Sequence, residues 1–182
     1  MADAIIDACC FINIYATGDL RGFLRESAWD WHIPSAALVE SLYIRVTRDQ
    51  DDEKREPIEP QPYIDESLIM LVEVGDAAEA ELYVRLAGDL DDGEAMALAI
   101  AKLRGWTLAT DDRKAKRFAD DLEVPVVTTP ELMQNWAKAS KIRQAKLKAL
   151  LSNIQNCARF VSAEDAPGYD WWMNAIGDAP PV

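Results

Sequence analysis

The chain reads as an α/β protein, a mostly parallel sheet with helices on both faces. Short apolar runs such as Ala4–Ile6 and Trp106–Ala109 alternate with longer stretches of helical periodicity. Glycines and acidic residues punctuate the joins, where helix stops and N-caps belong. With 182 residues, 49% of them hydrophobic, the chain can support one domain with a substantial core.

In order, Ala4-Ile5-Ile6 followed by Asp7 is a buried strand that ends in an acid. Cys10–Ala16 is helical and stops at Thr17-Gly18, and Asp19–Arg25 is a second short helix. Trp31–Ile33 is the second strand. Pro34-Ser35 opens a helix predicted to run to about Arg48, with Ser35 as its N-cap. Residues 50–62, QDDEKREPIEPQP, hold three prolines and no apolar periodicity. They predict an exposed, mobile loop that interrupts the domain without dividing it. Ser67–Val74 is the third strand, and Asp76 caps a helix over Ala77–Ala87. Asp92–Arg104 is the next helix, stopped by Gly105, and Trp106–Ala109 is the fourth strand. Asp112–Asp120 is helical and Val124–Val127 is the fifth strand. Pro130 starts a long helix to about Phe160, with a break near Ala139-Ser140. The tail, with Tyr169, Trp171 and Trp172, is too aromatic to be simply solvated and is expected to fold back. The expected organisation is a domain over 1–130 and a C-terminal helical extension over 131–182 that packs on it.

Composition narrows the function classes. The formal charge is −13, which disfavours a protein that wraps nucleic acid by neutralising phosphates. It leaves room for an enzyme that meets phosphates through a bound cation. No run of about 18 apolar residues exists, so no membrane span is expected. The start of the chain carries Asp3 and Asp7 and lacks a basic region, which argues against a signal peptide. Three cysteines, two of them the adjacent Cys9 and Cys10 and the third Cys157, do not make a disulfide framework; a reducing cytoplasm fits best. His32 is read as a strand-edge residue, and Trp29 and Trp31 as core or interface.

The chemistry lies in the carboxylates. Asp7 either caps the helix after strand one or faces a site. Glu40 has Ala36, Ala37, Tyr43 and Ile44 as helical neighbours, an apolar face on which an unpaired carboxylate is expensive. Asp91-x-x-Glu94 resembles a capping arrangement, with both acids favoured by the helix dipole. The helix behind Glu94 is apolar nearly all round, so that acid lies at the mouth of a core. Of Asp111 and Asp112, one caps the next helix and the other points into the crevice; Thr110-x-Asp112 favours Asp112 as the site residue, with the Thr110 hydroxyl holding a carboxylate. Asp7, Glu94 and one of this pair fall at one end of a parallel sheet, where open α/β folds place their sites. Such a cluster repels itself without cations, and Mg²⁺ or Mn²⁺ suits its oxygen donors. Two such ions can activate water and stabilise the leaving oxygen in phosphodiester cleavage.

Four short motifs in order, Ile5-Ile6-Asp7, Ile33-Pro34 with Val39-Glu40, Asp92-Gly93-Glu94-Ala95, and Leu108-Ala109-Thr110-Asp111-Asp112-Arg113, resemble the PIN-domain family over about residues 4–130. The resemblance implies a three-layer α/β/α sandwich whose five-stranded parallel sheet has strand order 3-2-1-4-5. It implies a metal-dependent nuclease, most often acting on RNA, and in many members the toxin of a toxin–antitoxin pair and a homodimer. Carried over by position, Asp7, Glu40, Glu94 and Asp112 are the catalytic quartet. Asp7, Glu94 and Asp112 are the closest Mg²⁺ or Mn²⁺ ligands, and Glu40 binds a second ion or orients water. Asp111, Asp92 and Thr110 are supporting or alternative residues. Where the family often has Ser, Thr or Asn, two residues after the first Asp, this chain has Cys9.

Arg113, Lys114, Lys116 and Arg117 lie beside the proposed cage and are candidates to meet RNA phosphates. A solvated helix face is the competing reading, and it applies equally to the basic run Lys138–Lys148. The sequence therefore predicts a cytoplasmic ribonuclease with an RNA substrate and an antitoxin partner. A non-catalytic scaffold of the same fold and a DNA nuclease are the alternatives.

Overall fold

Five strands pair in parallel in the order β5-β2-β1-β6-β7, the 3-2-1-4-5 order expected for them. The computed structural model describes residues 2–39, 42–47 and 53–177. The elements are β1 (Ala2–Ile6), α1 (Ala8–Ala16), α2 (Leu20–Glu26), β2 (Trp29–Pro34), α3 (Ser35–Val39), β3 (Tyr43–Thr47), β4 (Glu53–Pro57), α4 (Gln61–Asp65), β5 (Met70–Val72), α5 (Ala77–Leu86), α6 (Asp92–Arg104), β6 (Thr107–Ala109), α7 (Arg113–Asp121), β7 (Val126–Val127), α8 (Thr129–Ala139), α9 (Gln144–Asn153), a π-helical turn (Ile154–Ala158) and α10 (Tyr169–Ile176).

The chain divides into two units. The first holds Met1–Phe11, Ala28–Leu42 and Glu59–Val127, and so the whole parallel sheet. Its centre is α6, which lies on β1, β2 and β6 and packs beside α3, α5 and α7. Ala95, Ala97, Leu98, Ala99 and Ile100 are wholly buried, so the middle of α6 is covered on every side. Four small side chains, Ala95, Ala97, Ala99 and Ala101, let this helix approach the sheet and its helical neighbours closely. Asp91 caps it by accepting from the Glu94 amide, and Gly105 ends it in the left-handed region at φ 70°.

The second unit holds Ile12–Ser27, Tyr43–Ile58 and Thr128–Val182. Phe23 meets Trp136 edge to face at 5.6 Å, and the Trp136 indole N–H donates to Glu26 at 2.9 Å. Trp172 on α10 is fully buried and packs edge to face on Phe160 at 5.4 Å, so the aromatic tail is packed rather than solvated.

Three stretches differ from the sequence expectation. The helix from Ser35 stops at Val39, and Tyr43–Thr47 is a strand. Ser35 is its first residue, and its hydroxyl donates to the Met96 sulfur at 3.8 Å. Four of the five residues in Tyr43-Ile44-Arg45-Val46-Thr47 are β-branched or aromatic, and that strand propensity prevailed. Its partner is Glu53–Pro57, paired antiparallel, which the composition marked as loop; the Arg55 guanidinium sits 4.5 Å from the Tyr43 ring centroid. Residues 50–52 of the expected loop lie outside the described residues. The long helix from Pro130 is two helices and a π-helical turn, joined through Lys141, whose φ of 50° no α-helix continues. Among the described residues no helix is long and apolar enough to cross a membrane.

Candidate metal centre

The ladder of the sheet delivers its acids to one end. The Asp7 amide donates to the Ala109 carbonyl at 3.1 Å and the Thr110 amide to the Val127 carbonyl at 3.1 Å. Both bonds extend the strand pairing one residue past β1 and β6. Asp7 and Thr110 therefore stand side by side where these strands end and helices begin, with the start of α6 beside them.

Asp7 is 2% exposed and caps the helix that follows strand one. One carboxylate oxygen caps α1, accepting from the Cys10 amide at 2.7 Å. The other accepts from the Cys9 thiol at 3.4 Å. Burial pushes this carboxyl up from 3.8 to about 7, and the Asp111 charge adds to that push; hydrogen bonds from Thr110, Cys10 and Cys9 hold it back only in part. Glu94 behaves alike. Burial first, then the charges of Asp91, Asp112 and Asp7, take it from 4.5 to about 7. Glu94 thus feels the charges of both Asp7 and Asp112.

Asp111 and Asp112 divide their work differently from the expectation. Asp112 is the cap of α7, accepting from the Lys114 amide at 2.7 Å and the Ala115 amide at 2.8 Å. Asp111 is the one turned to the Asp7 side, where it accepts from the Cys10 thiol at 3.2 Å. The helix begins at Arg113, so the residue before it has the backbone geometry of an N-cap. Asp112 still raises Glu94, so it borders the cluster while it caps. Thr110 is fully buried; its hydroxyl accepts from the Asp112 amide at 3.1 Å and also hydrogen-bonds Asp7. It holds a carboxylate in place, and that carboxylate is Asp7.

Other predicted residues fall elsewhere. Asp92 accepts from the Tyr83 hydroxyl at 3.1 Å and is turned to α5. Glu40 lies outside the described residues, and Tyr43 and Ile44, its supposed neighbours on one helical face, are in β3. On α7, Arg113 and Lys114 are exposed and Lys116 is half-buried. Lys114 is committed locally, its ammonium 3.7 Å from the Asp89 carboxylate and hydrogen-bonded to the Asp89 carbonyl. His32 is no edge residue: it is buried, stacked on Trp106 at 3.9 Å, with Nε2 2.8 Å from Asp3.

Sequence reasoning missed the thiols. One Asp7 oxygen and the sulfurs of Cys9 and Cys10 all lie within 4.8 Å of one another. The signal was the spacing: residues two and three places after a helix-capping Asp are those its carboxylate meets.

A family model described as a PIN domain (DUF3368) matches residues 3–166. The chain belongs to the PIN-domain family. This PIN domain has the nuclease-type fold of its family, whose members are generally hydrolases that use divalent metals. A comparison with curated proteins returned no match. Carboxylate oxygens, the hard donors such ions take, gather at this end of the sheet, where burial first and neighbouring acids second push Asp7 and Glu94 up. The oxygens of Asp7, Glu94 and Asp112 do not all lie within 4.8 Å of one another, so an ion shared by all three needs their side chains to draw together.

Proposed function

We propose that this PIN domain is a Mg²⁺- or Mn²⁺-dependent endoribonuclease, cleaving RNA phosphodiesters as the toxin of a toxin–antitoxin pair. One observation carries the metal dependence: Asp7 and Glu94, from different elements, are both pushed up to about 7 by burial and by the acids around them. A divalent cation relieves that repulsion and keeps both ionised. Asp7, Glu94 and Asp112 would hold it, with Asp111 beside them. Bound there, it supplies a more acidic water and stabilises the leaving oxygen.

The chain's own residues do the positioning. The Thr110 hydroxyl fixes Asp7, and the Asp91 cap fixes the first turn of α6 from which Glu94 projects. Arg113 and Lys116 on α7 meet substrate phosphates as point charges without sequence readout. The choice of RNA rests on the family resemblance. An acidic cluster of this kind suits a partner that places a basic side chain among the carboxylates, as an antitoxin would. The working form is a homodimer in the cytoplasm.

Mixed RNA and single-stranded DNA, incubated with Mn²⁺, Mg²⁺ or EDTA, test this. RNA should be cut only with metal, and Asp7→Asn and Glu94→Gln should each abolish the cutting. Cleavage that survives EDTA, or that both variants retain, overturns the metal mechanism; preferential cutting of DNA overturns the substrate. Growth arrest on expression, relieved by a neighbouring gene's product, tests the toxin role. Light scattering at twice the chain's mass tests the dimer.

A further inference from the structure

We propose that Asp7, Cys9 and Cys10 form a thiol-bearing site that overlaps the carboxylate centre and takes a thiophilic divalent cation, Zn²⁺, as an inhibitor. The inhibitory part rests on the nuclease reading above; the binding part does not.

The geometry comes from the abrupt turn of β1 into α1. Asp7 closes the strand and caps the helix, so the first turn of α1 wraps its side chains around the carboxylate. The Cys9 sulfur lies 3.4 Å from one Asp7 oxygen. With the Cys10 sulfur, these donors fall within 4.8 Å of one another, a separation a single ion can bridge. The Asp111 carboxylate stands beside them, 3.2 Å from the Cys10 sulfur. The first unit thus gathers two sulfurs and one carboxylate within reach of a single ion.

That set discriminates between metals. Mg²⁺ and Mn²⁺ favour oxygen ligands in octahedral geometry and leave thiols alone. Zn²⁺ accepts sulfur and carboxylate oxygen together in a tetrahedral site. An ion held by both sulfurs draws Asp7 towards the thiols and away from the carboxylate centre. Asp7 serves both sites, so Zn²⁺ in one empties the other. Each thiol passes its proton to solvent as its sulfur–metal bond forms, and no electron moves. Cys10 is fully buried, and Cys9 is partly exposed and offers the way in.

Co²⁺, a spectroscopic stand-in for Zn²⁺, tests the idea on the intact chain. Titration should raise a near-ultraviolet thiolate-to-cobalt charge-transfer band that Zn²⁺ bleaches and excess Mg²⁺ does not. The band should be lost in Cys9→Ala and Cys10→Ala and kept in Cys157→Ala. Absence of the band, or its survival in both Cys9→Ala and Cys10→Ala, overturns the proposal. Should buried Cys10→Ala misfold, the partly exposed Cys9→Ala decides alone. A Mn²⁺-induced rise in Tm, measured in parallel on the Cys9→Ala/Cys10→Ala double variant, separates the two readings. A Mn²⁺ shift without a cobalt band sinks the thiol site alone, and a cobalt band without a Mn²⁺ shift sinks the carboxylate centre alone. Zn²⁺ should also stop hydrolysis in the parent chain while sparing the double variant; equal inhibition of both would overturn the inhibitory role.

Discussion

Two carboxylates in the sheet-bearing unit are almost equally hidden from water, Asp7 at 2% and Glu79 at 4% exposed. Their protons behave in opposite ways. Glu79 on α5 receives both arms of the Arg104 guanidinium, at 2.7 and 2.9 Å, and the Gly75 amide at 2.6 Å. Those bonds, the Arg104 pair first, hold it below its ordinary 4.5. Arg104 is itself held by the Glu73 carbonyl and lies 5.0 Å from the Trp106 ring centroid. Asp7 has a capping amide, a hydroxyl and a thiol, but its charged neighbours are acids, and it rises to about 7. Burial alone therefore does not mark a functional acid. What marks it is burial without a cation from the same chain, because a folded protein tolerates that only where a cation arrives from outside.

The comparison is broken most severely at the chemistry. Asp7→Asn should lower metal-dependent cleavage by about 10²–10³-fold, the scale of losing a principal electrostatic element, while Glu79→Gln leaves kcat within its normal scatter. Equal losses in both, measured on one RNA, would erase the distinction. Next is the structural pair. Arg104→Ala strands Glu79 in the interior and should cost about 3 kcal/mol in chemical denaturation. The opposite sign is expected at the site: in metal-free protein at pH 8, Asp7→Asn removes a buried charge and should stabilise by about 1–2 kcal/mol. A destabilised Asp7→Asn would mean that its capping bond to Cys10 outweighs the burial of its charge.

The pH profile of metal-free stability sharpens the contrast. Asp7 and Glu94 bind protons more tightly folded than unfolded, so the stability they contribute is complete below their ordinary values of 3.8 and 4.5 and is lost as pH rises towards about 7. Glu79 binds its proton less tightly folded, so its contribution is present above 4.5 and is lost as pH falls through its lowered value. Melting curves of the parent chain should peak in mildly acidic buffer, and saturating Mn²⁺ should flatten the alkaline limb alone. The smallest effect is at Lys114, already held by Asp89: Lys114→Ala should shift stability by no more than about 0.5 kcal/mol and, if Lys114 also meets RNA, lower the salt dependence of RNA binding by about one phosphate contact.

The stretch Leu90–Gly105 was legible because its signals agree. A capping Asp91, an unbroken apolar helix and a left-handed Gly105 set the ends of α6 at Asp92 and Arg104 without tertiary information. The sheet order followed from the resemblance carried by four short motifs. The hairpin was not legible, since Glu53–Pro57 has no apolar pattern of its own and is a strand because Tyr43–Thr47 supplies its hydrogen bonds. Nor were the separate duties of Asp111 and Asp112. Both types cap well, and the choice depends on which residue precedes the first helical φ, a one-residue matter that composition does not resolve. The thiols escaped because three cysteines, two of them adjacent, make no disulfide framework, and the closeness of Cys10 to Asp111 arises only in the fold.

The alanines of α6 carry one more consequence. Ala95 and Ala99 lie one turn apart on a single face of α6, with Ala97 on the opposite one, and their bulk sets how closely the helix packs between the sheet and its neighbours and hence where Glu94 stands. They act as spacers, and the two carbons added by a change such as Ala99→Val would push the helix off its neighbours at a cost of about 1–3 kcal/mol. Ionic radius would then be chosen by residues that never meet the ion. A search for variants that exchange Mg²⁺ for a larger cation should begin with that row of small side chains, leaving every carboxylate in place.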